Sequence, residues 1–96
     1  MAETTDLTFT ITGEDGDEAT FTVPEGLVDM LSEPGDDPAD VVADVATMAF
    51  TSRAHAVVHH SDHGDDEQLQ AVEARSLELF EERFGMTYGE ATGHSH

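Results

Sequence analysis

Two runs near the start of the chain alternate strictly: Leu7, Phe9 and Ile11 with Thr8, Thr10 and Thr12, then Ala19, Phe21 and Val23 with Thr20 and Thr22. A period of two marks strands with one half-buried face, so the pair predicts a β-hairpin. The turn decides its register. A two-residue Asp15-Gly16 turn sets Ile11 opposite Thr20 and sends the apolar sets to opposite faces. A three-residue loop of Glu14, Asp15 and Gly16, with Gly16 left-handed, pairs Ile11 with Ala19, Phe9 with Phe21 and Leu7 with Val23. The second register is preferred, because it collects one apolar face and one threonine face.

After Val23 the period lengthens. Pro24 suits the first turn of a helix, and Leu27, Val28, Met30 and Leu31 form a short apolar stripe that ends before Pro34-Gly35. Asp37 is placed to cap a long helix from Pro38 to about His60, with Asp40 near its positive end. On a helical wheel Val41, Val45, Met48, Ser52 and His59 share the expected buried stripe, Val42, Ala49 and Ala56 flank it, and Asp40, Asp44, Thr47 and Thr51 lie opposite. A polar connector, 61–66, leads to a last helix capped by Asp65 or Asp66 and stopped at Gly85 after Phe84. Its inward set is Leu69, Val72, Ser76, Leu79, Phe80 and Phe84.

The expected fold is therefore α+β: an N-terminal antiparallel hairpin, a short helix and two longer helices in one small domain over 1–88, with 89–96 a flexible His-containing tail. The expected core comprises Leu7, Phe9, Ile11, Phe21, Val23, Leu27, Leu31, Val45, Met48, Leu79, Phe80 and Phe84. A hairpin alone is marginal and leaves two open strand edges. Pairing of two copies would close one edge, so a homodimer is expected, with an unidentified protein partner also allowed.

Charge changes this picture more than length does. Among 96 residues there are 22 Asp plus Glu, three Arg and no Lys, for a formal charge of −19. Clustered basic residues, which nucleic acids and anionic membranes require, are missing. At about 1 M salt the Debye length falls to about 3 Å, so such a surface stays hydrated without self-repulsion; the balance points to a molar-salt cytoplasm. No Cys is present, no apolar run reaches the roughly 18 residues of a membrane span, and the start lacks the pattern of a signal peptide. A soluble, cytoplasmic protein is expected.

The tracts Val23-Pro24-Glu25-Gly26-Leu27-Val28-Asp29-Met30-Leu31, Ala39-Asp40-Val41-Val42-Ala43-Asp44-Val45-Ala46, Ala54-His55-Ala56-Val57-Val58-His59-His60 and Gly89-Glu90-Ala91-Thr92-Gly93-His94-Ser95-His96 resemble small acidic haloarchaeal proteins of unassigned function. The resemblance covers nearly the whole chain. It implies a salt-rich cytoplasm and a native His-containing terminus, and it brings no catalytic residues.

Histidine is the residue type that salt adaptation leaves unexplained. Four of six cluster as His55, His59, His60 and His63. On a helix His55, His59 and His63 fall at i, i+4 and i+8, so neighbours share a face and suit one transition-metal ion, Zn, Ni or Cu rather than Mg; Asp62, His94 and His96 are candidates to complete the shell. No Glu stands between them as in the His-Glu-x-x-His pattern. The preferred reading is structural, with the metal site as its alternative: histidines favour a helix C-terminus, and His59 suits a core or interface position.

Other chemistry has little support. Phosphate loop, nucleophile elbow and thiol are all missing, and pairs such as Asp36-Asp37, Asp65-Asp66 and Glu81-Glu82 are unremarkable among so many acids. A non-enzymatic protein-interaction or structural module acting as a homodimer is expected, with a transition-metal-binding protein as the alternative. Strand Thr20 to Pro24, the short helix and the start of the long one are similar in order to ribbon-helix-helix DNA-binding regulators. Thr20 and Thr22 occupy the positions where that family carries basic or amide residues, and Arg53, Arg75 and Arg83 lie elsewhere, the last two placed to pair with Glu78 and Glu82. This makes nucleic acid an unfavoured partner.

Overall fold

The computed structural model describes residues 4–60, 62 and 64–93. It is an α+β protein: strands β1 (Asp6–Thr12) and β2 (Glu18–Pro24), then helices α1 (Glu25–Leu31), α2 (Pro38–His59), α3 (Glu67–Phe84) and α4 (Tyr88–Thr92). The chain divides into two compact units, Met1–Ala43 and Asp44–His96.

In the first unit β1 and β2 pair antiparallel with Leu7 opposite Val23, Phe9 opposite Phe21 and Ile11 opposite Ala19, the register the three-residue loop dictates. Gly13 closes the loop through its N–H to Asp17 O at 2.9 Å, and Gly16 sits at φ 86°. That left-handed value is costly for any side chain but glycine's. One face carries Phe9 and Phe21 stacked at 5.5 Å, and on the other the Thr8 and Thr22 hydroxyls meet at 3.1 Å. The β-propensity of Thr and the cross-strand aromatic pair both favour this ladder.

Pro24 ends β2 with extended backbone and stands at the N-cap of α1, one residue before its expected place in the first turn. Of the α1 stripe only Val28 is buried; Leu27, Met30 and Leu31 are exposed, Met30 at 80%. Seven residues make barely two turns, and so short a helix shields a single position.

Helix α2 begins at Pro38, where the missing N–H costs nothing, and the Asp37 carbonyl accepts the Val41 N–H at 3.1 Å. Its buried face follows the expected stripe in part: Val41 is buried and Met48 and Ser52 are half-buried. Thr51, placed outward by the wheel, is buried, whereas Val45 and Phe50 are exposed. The Thr51 hydroxyl donates to Thr47 O at 2.7 Å, so the residue enters the interior with its polar atom satisfied by its own helix.

Helix α3 starts at Asp66, whose carboxylate accepts the N–H groups of Gln68 and Leu69 at 2.9 and 3.2 Å. It stops at Gly85, left-handed at φ 72°, whose N–H reaches Glu81 O. Phe80 is fully buried, Leu69, Ser76 and Phe84 are half-buried, and Val72 and Leu79 are exposed. The arginines are paired: Arg75 meets both Glu78 at 3.3 Å and Glu82 at 3.4 Å, as expected, and Arg83 bonds Asp44 at 2.6 Å. Beyond Gly85, where the sequence signals only a small polar tail, stands α4, with a capping box at Thr87 and Glu90. Among the described residues no helix is long and apolar enough to cross a membrane.

Candidate metal centre

The second unit assembles its polar centre from two helices. His55 and His59 lie one turn apart on α2, so their rings share a face, with centroids 4.5 Å apart. Opposite them α3 presents Glu73. His55 Nδ1 lies 2.9 Å from Glu73 Oε2, and His59 Nε2 lies 2.9 Å from Oε2 and 3.1 Å from Oε1. One donor atom from each residue falls within 4.8 Å of the other two.

Burial is uneven in a way that matters. The side chains of His55 and Glu73 are 12% and 10% exposed, and that of His59 is 44% exposed. Where the Glu73 carboxylate is the acceptor, the donors are Nδ1–H of His55 and Nε2–H of His59. Buried acids persist only when so satisfied.

Aromatic rings fix His55 from behind. Tyr88 packs on it at 5.6 Å and meets Phe80 edge-on at 5.4 Å, and Phe80 packs on Phe84 at 4.5 Å. The Tyr88 hydroxyl shares a hydrogen bond with Ser52 Oγ at 2.8 Å. The start of α4 is held in turn by Thr87, whose N–H and hydroxyl both donate to Glu90 Oε1, at 3.0 and 2.9 Å. Those bonds, the backbone one first, hold the Glu90 carboxyl below its ordinary range. The depressed value means that this contribution to folding is present above the unfolded-state pKa and is lost as pH falls through the folded one. Thr87→Ala is expected to raise the Glu90 titration midpoint part of the way back, read from its side-chain carboxyl by NMR; an unmoved midpoint would assign the shift to the backbone bond alone.

His55, His59 and Glu73 line one wall of an open groove of about 540 Å³ whose other walls include Leu77, Glu78, Glu81, Tyr88 and Glu90. Of the residues singled out in the sequence, the structure brings His55 and His59 together. The His60 ring stands edge-on to that of His55 at 5.7 Å and is exposed; among the described residues the converging group is His55, His59 and Glu73, without His60 or Asp62. His63, His94 and His96 lie outside the described residues.

Glu73 is the member that sequence reasoning missed. Its signal was positional: it sits among Leu69, Leu77 and Phe80, at steps of four, four and three, where a solvated acid has no place. Two imidazoles from one helix and a carboxylate from another form a donor set that suits Zn²⁺, with a further coordination position left open.

No curated protein and no solved structure matches the chain. Its relationship is shown instead by the model of a family of unknown function, DUF7545, which matches residues 1–96, and the chain belongs to that family.

Proposed function

We propose that this protein binds a divalent transition-metal ion, Zn²⁺ foremost and Ni²⁺ or Cu²⁺ next, through His55 Nδ1, His59 Nε2 and a Glu73 carboxylate oxygen. One observation carries the reading: two imidazole nitrogens and a largely buried carboxylate converge within 4.8 Å. A nitrogen-rich set with one carboxylate ranks these ions above Mg²⁺, which demands six oxygens. No Glu follows His55, where Ala56 stands, so the site differs from the His-Glu-x-x-His arrangement of zinc hydrolases, and the function proposed is ion binding.

Titration calorimetry with Zn²⁺ is expected to give a Kd below about 10 μM. Heat should vanish in His55→Ala/His59→Ala and weaken at least about tenfold in Glu73→Gln, whose amide is a poor zinc ligand. Nitrogen NMR of the rings adds an internal check. Coordination takes the two nitrogens that face Glu73, so each ring proton must move to the other nitrogen. Unchanged tautomers, or binding weaker than about 10 μM, would leave the triad as a hydrogen-bonded strut between α2 and α3.

A second reading concerns assembly. In the first unit Ile11, Leu27, Met30 and Leu31 are all exposed, and among the described residues the hairpin is a sheet of two strands. Together they favour self-association through that unit, in an acidic protein working in a salt-rich cytoplasm. Light scattering in 2 M KCl is expected to give twice the 10.3 kDa chain mass, and Met30→Glu/Leu31→Glu should return it to the monomer value. A monomer across the concentration range would remove this reading.

A further inference from the structure

Three protein donors leave a zinc-like ion at least one free coordination position, and on the metal-binding reading above that position opens into the groove. We propose that it takes a neutral nitrogen donor, an imidazole or an unprotonated amine, and that the groove disfavours carboxylates and phosphates there.

The argument is one of charge and room. His55 and Glu73 are largely covered, and the exposed ligand is His59, so an incoming donor approaches from the groove side. That groove is lined by Glu78, Glu81 and Glu90 in addition to Glu73, and no arginine or lysine lines it among the described residues. Four carboxylates outnumber the two positive charges of the ion. Arg75 offsets Glu78 only in part, through a single exposed contact at 3.3 Å. At low ionic strength an anion reaching the metal therefore meets a net negative wall. A neutral nitrogen base avoids that repulsion and satisfies the same preference that selects imidazole ligands for this ion. Leu77 gives the groove an apolar side, and about 540 Å³ is ample for an imidazole ring. The donor's source is either a free small molecule or a histidine of another polypeptide.

The test uses the full chain loaded with Co²⁺, whose visible spectrum reports each ligand exchange. Imidazole, acetate and a short His-containing peptide are titrated at a constant low ionic strength of about 0.1 M into the wild type and into Glu78→Gln/Glu81→Gln/Glu90→Gln, with Glu81→Gln alone as a milder variant. Imidazole is expected to change the spectrum in both proteins with midpoints within about twofold. Acetate should bind about tenfold tighter to the triple variant than to the wild type, and by an intermediate factor to Glu81→Gln. Tighter binding of the peptide than of imidazole would identify a polypeptide source, and equal binding a free ligand. Acetate midpoints that do not differ between wild type and variants, or a spectrum that imidazole leaves unchanged, would overturn the proposal. Failure of Co²⁺ to bind at His55, His59 and Glu73 at all is a separate result, which overturns the metal-binding reading itself.

Discussion

Phe80→Ala is expected to destabilise the protein by about 3–5 kcal/mol, the range for removing a buried aromatic side chain without collapse of the cavity. Phe80 is the largest side chain with no exposed surface, and it touches the rings of both Phe84 and Tyr88. Its loss therefore frees Tyr88, and through Tyr88 the support behind His55. In a domain of this size each kcal/mol moves the midpoint by about 4–8 °C, so a drop of at least about 12 °C follows. Phe50→Ala is the control: that ring is 74% exposed, and its removal should shift the midpoint by no more than the roughly 0.5 kcal/mol typical of surface changes. Thermal unfolding in 2 M KCl checks both. Equal effects of the two substitutions would mean that the packing around Phe80 is not what holds the second unit.

The hairpin was legible to the residue because two independent constraints agree. Period two sets which residues share a face, and the loop around Gly16 sets which residues meet, so Phe9 had one partner to find. Helix ends were legible for similar reasons, since Pro38, Asp66 and Gly85 each carry a local chemistry that works at a helix terminus and poorly elsewhere. Which face of a helix is buried is a tertiary property, and there the pattern was ambiguous. Along α2 valines, alanines and threonines circle the helix, and Thr51 can be buried because it satisfies its own hydroxyl. The candidate site divides the same way. Spacing of four residues on one helix put His55 and His59 together, but the partner on α3 depends on how two helices pack. Glu73 was hidden for a further reason: with 22 acids in the chain, one more carboxylate carries no compositional signal, and only its neighbours Leu69, Leu77 and Phe80 set it apart. The start of α4 had a readable capping-box pattern in Thr87 and Glu90, masked by the small polar residues that follow.

Salt should control stability more strongly than any surface substitution. With a formal charge of −19, 22 acids face three arginines, of which Arg75 and Arg83 pair with Glu78, Glu82 and Asp44, so arginine can neutralise only a small share of the carboxylates. At 0.01 M salt the Debye length is about 30 Å, and each carboxylate repels many others; at 1 M it is about 3 Å, and exposed carboxylates farther apart than that are largely screened from one another. Like-charge contacts cost a few tenths of a kcal/mol each, so relief summed over the chain reaches about 2 kcal/mol or more, which corresponds to a midpoint higher by roughly 10 °C or more in 2 M than in 0.1 M KCl. Screening can be told from a general salting-out of apolar surface by its target. Glu14→Gln/Glu18→Gln, two exposed acids at the hairpin turn, should raise the midpoint at 0.1 M KCl and leave it unchanged at 2 M, because only unscreened charge is removed. If the substitutions have the same effect at both concentrations, or if the wild-type midpoint is flat from 0.1 to 2 M, repulsion among the carboxylates is not what limits the fold. In that case the acidic surface must be explained by what it binds, and the carboxylates lining the groove beside His59 become the first place to look.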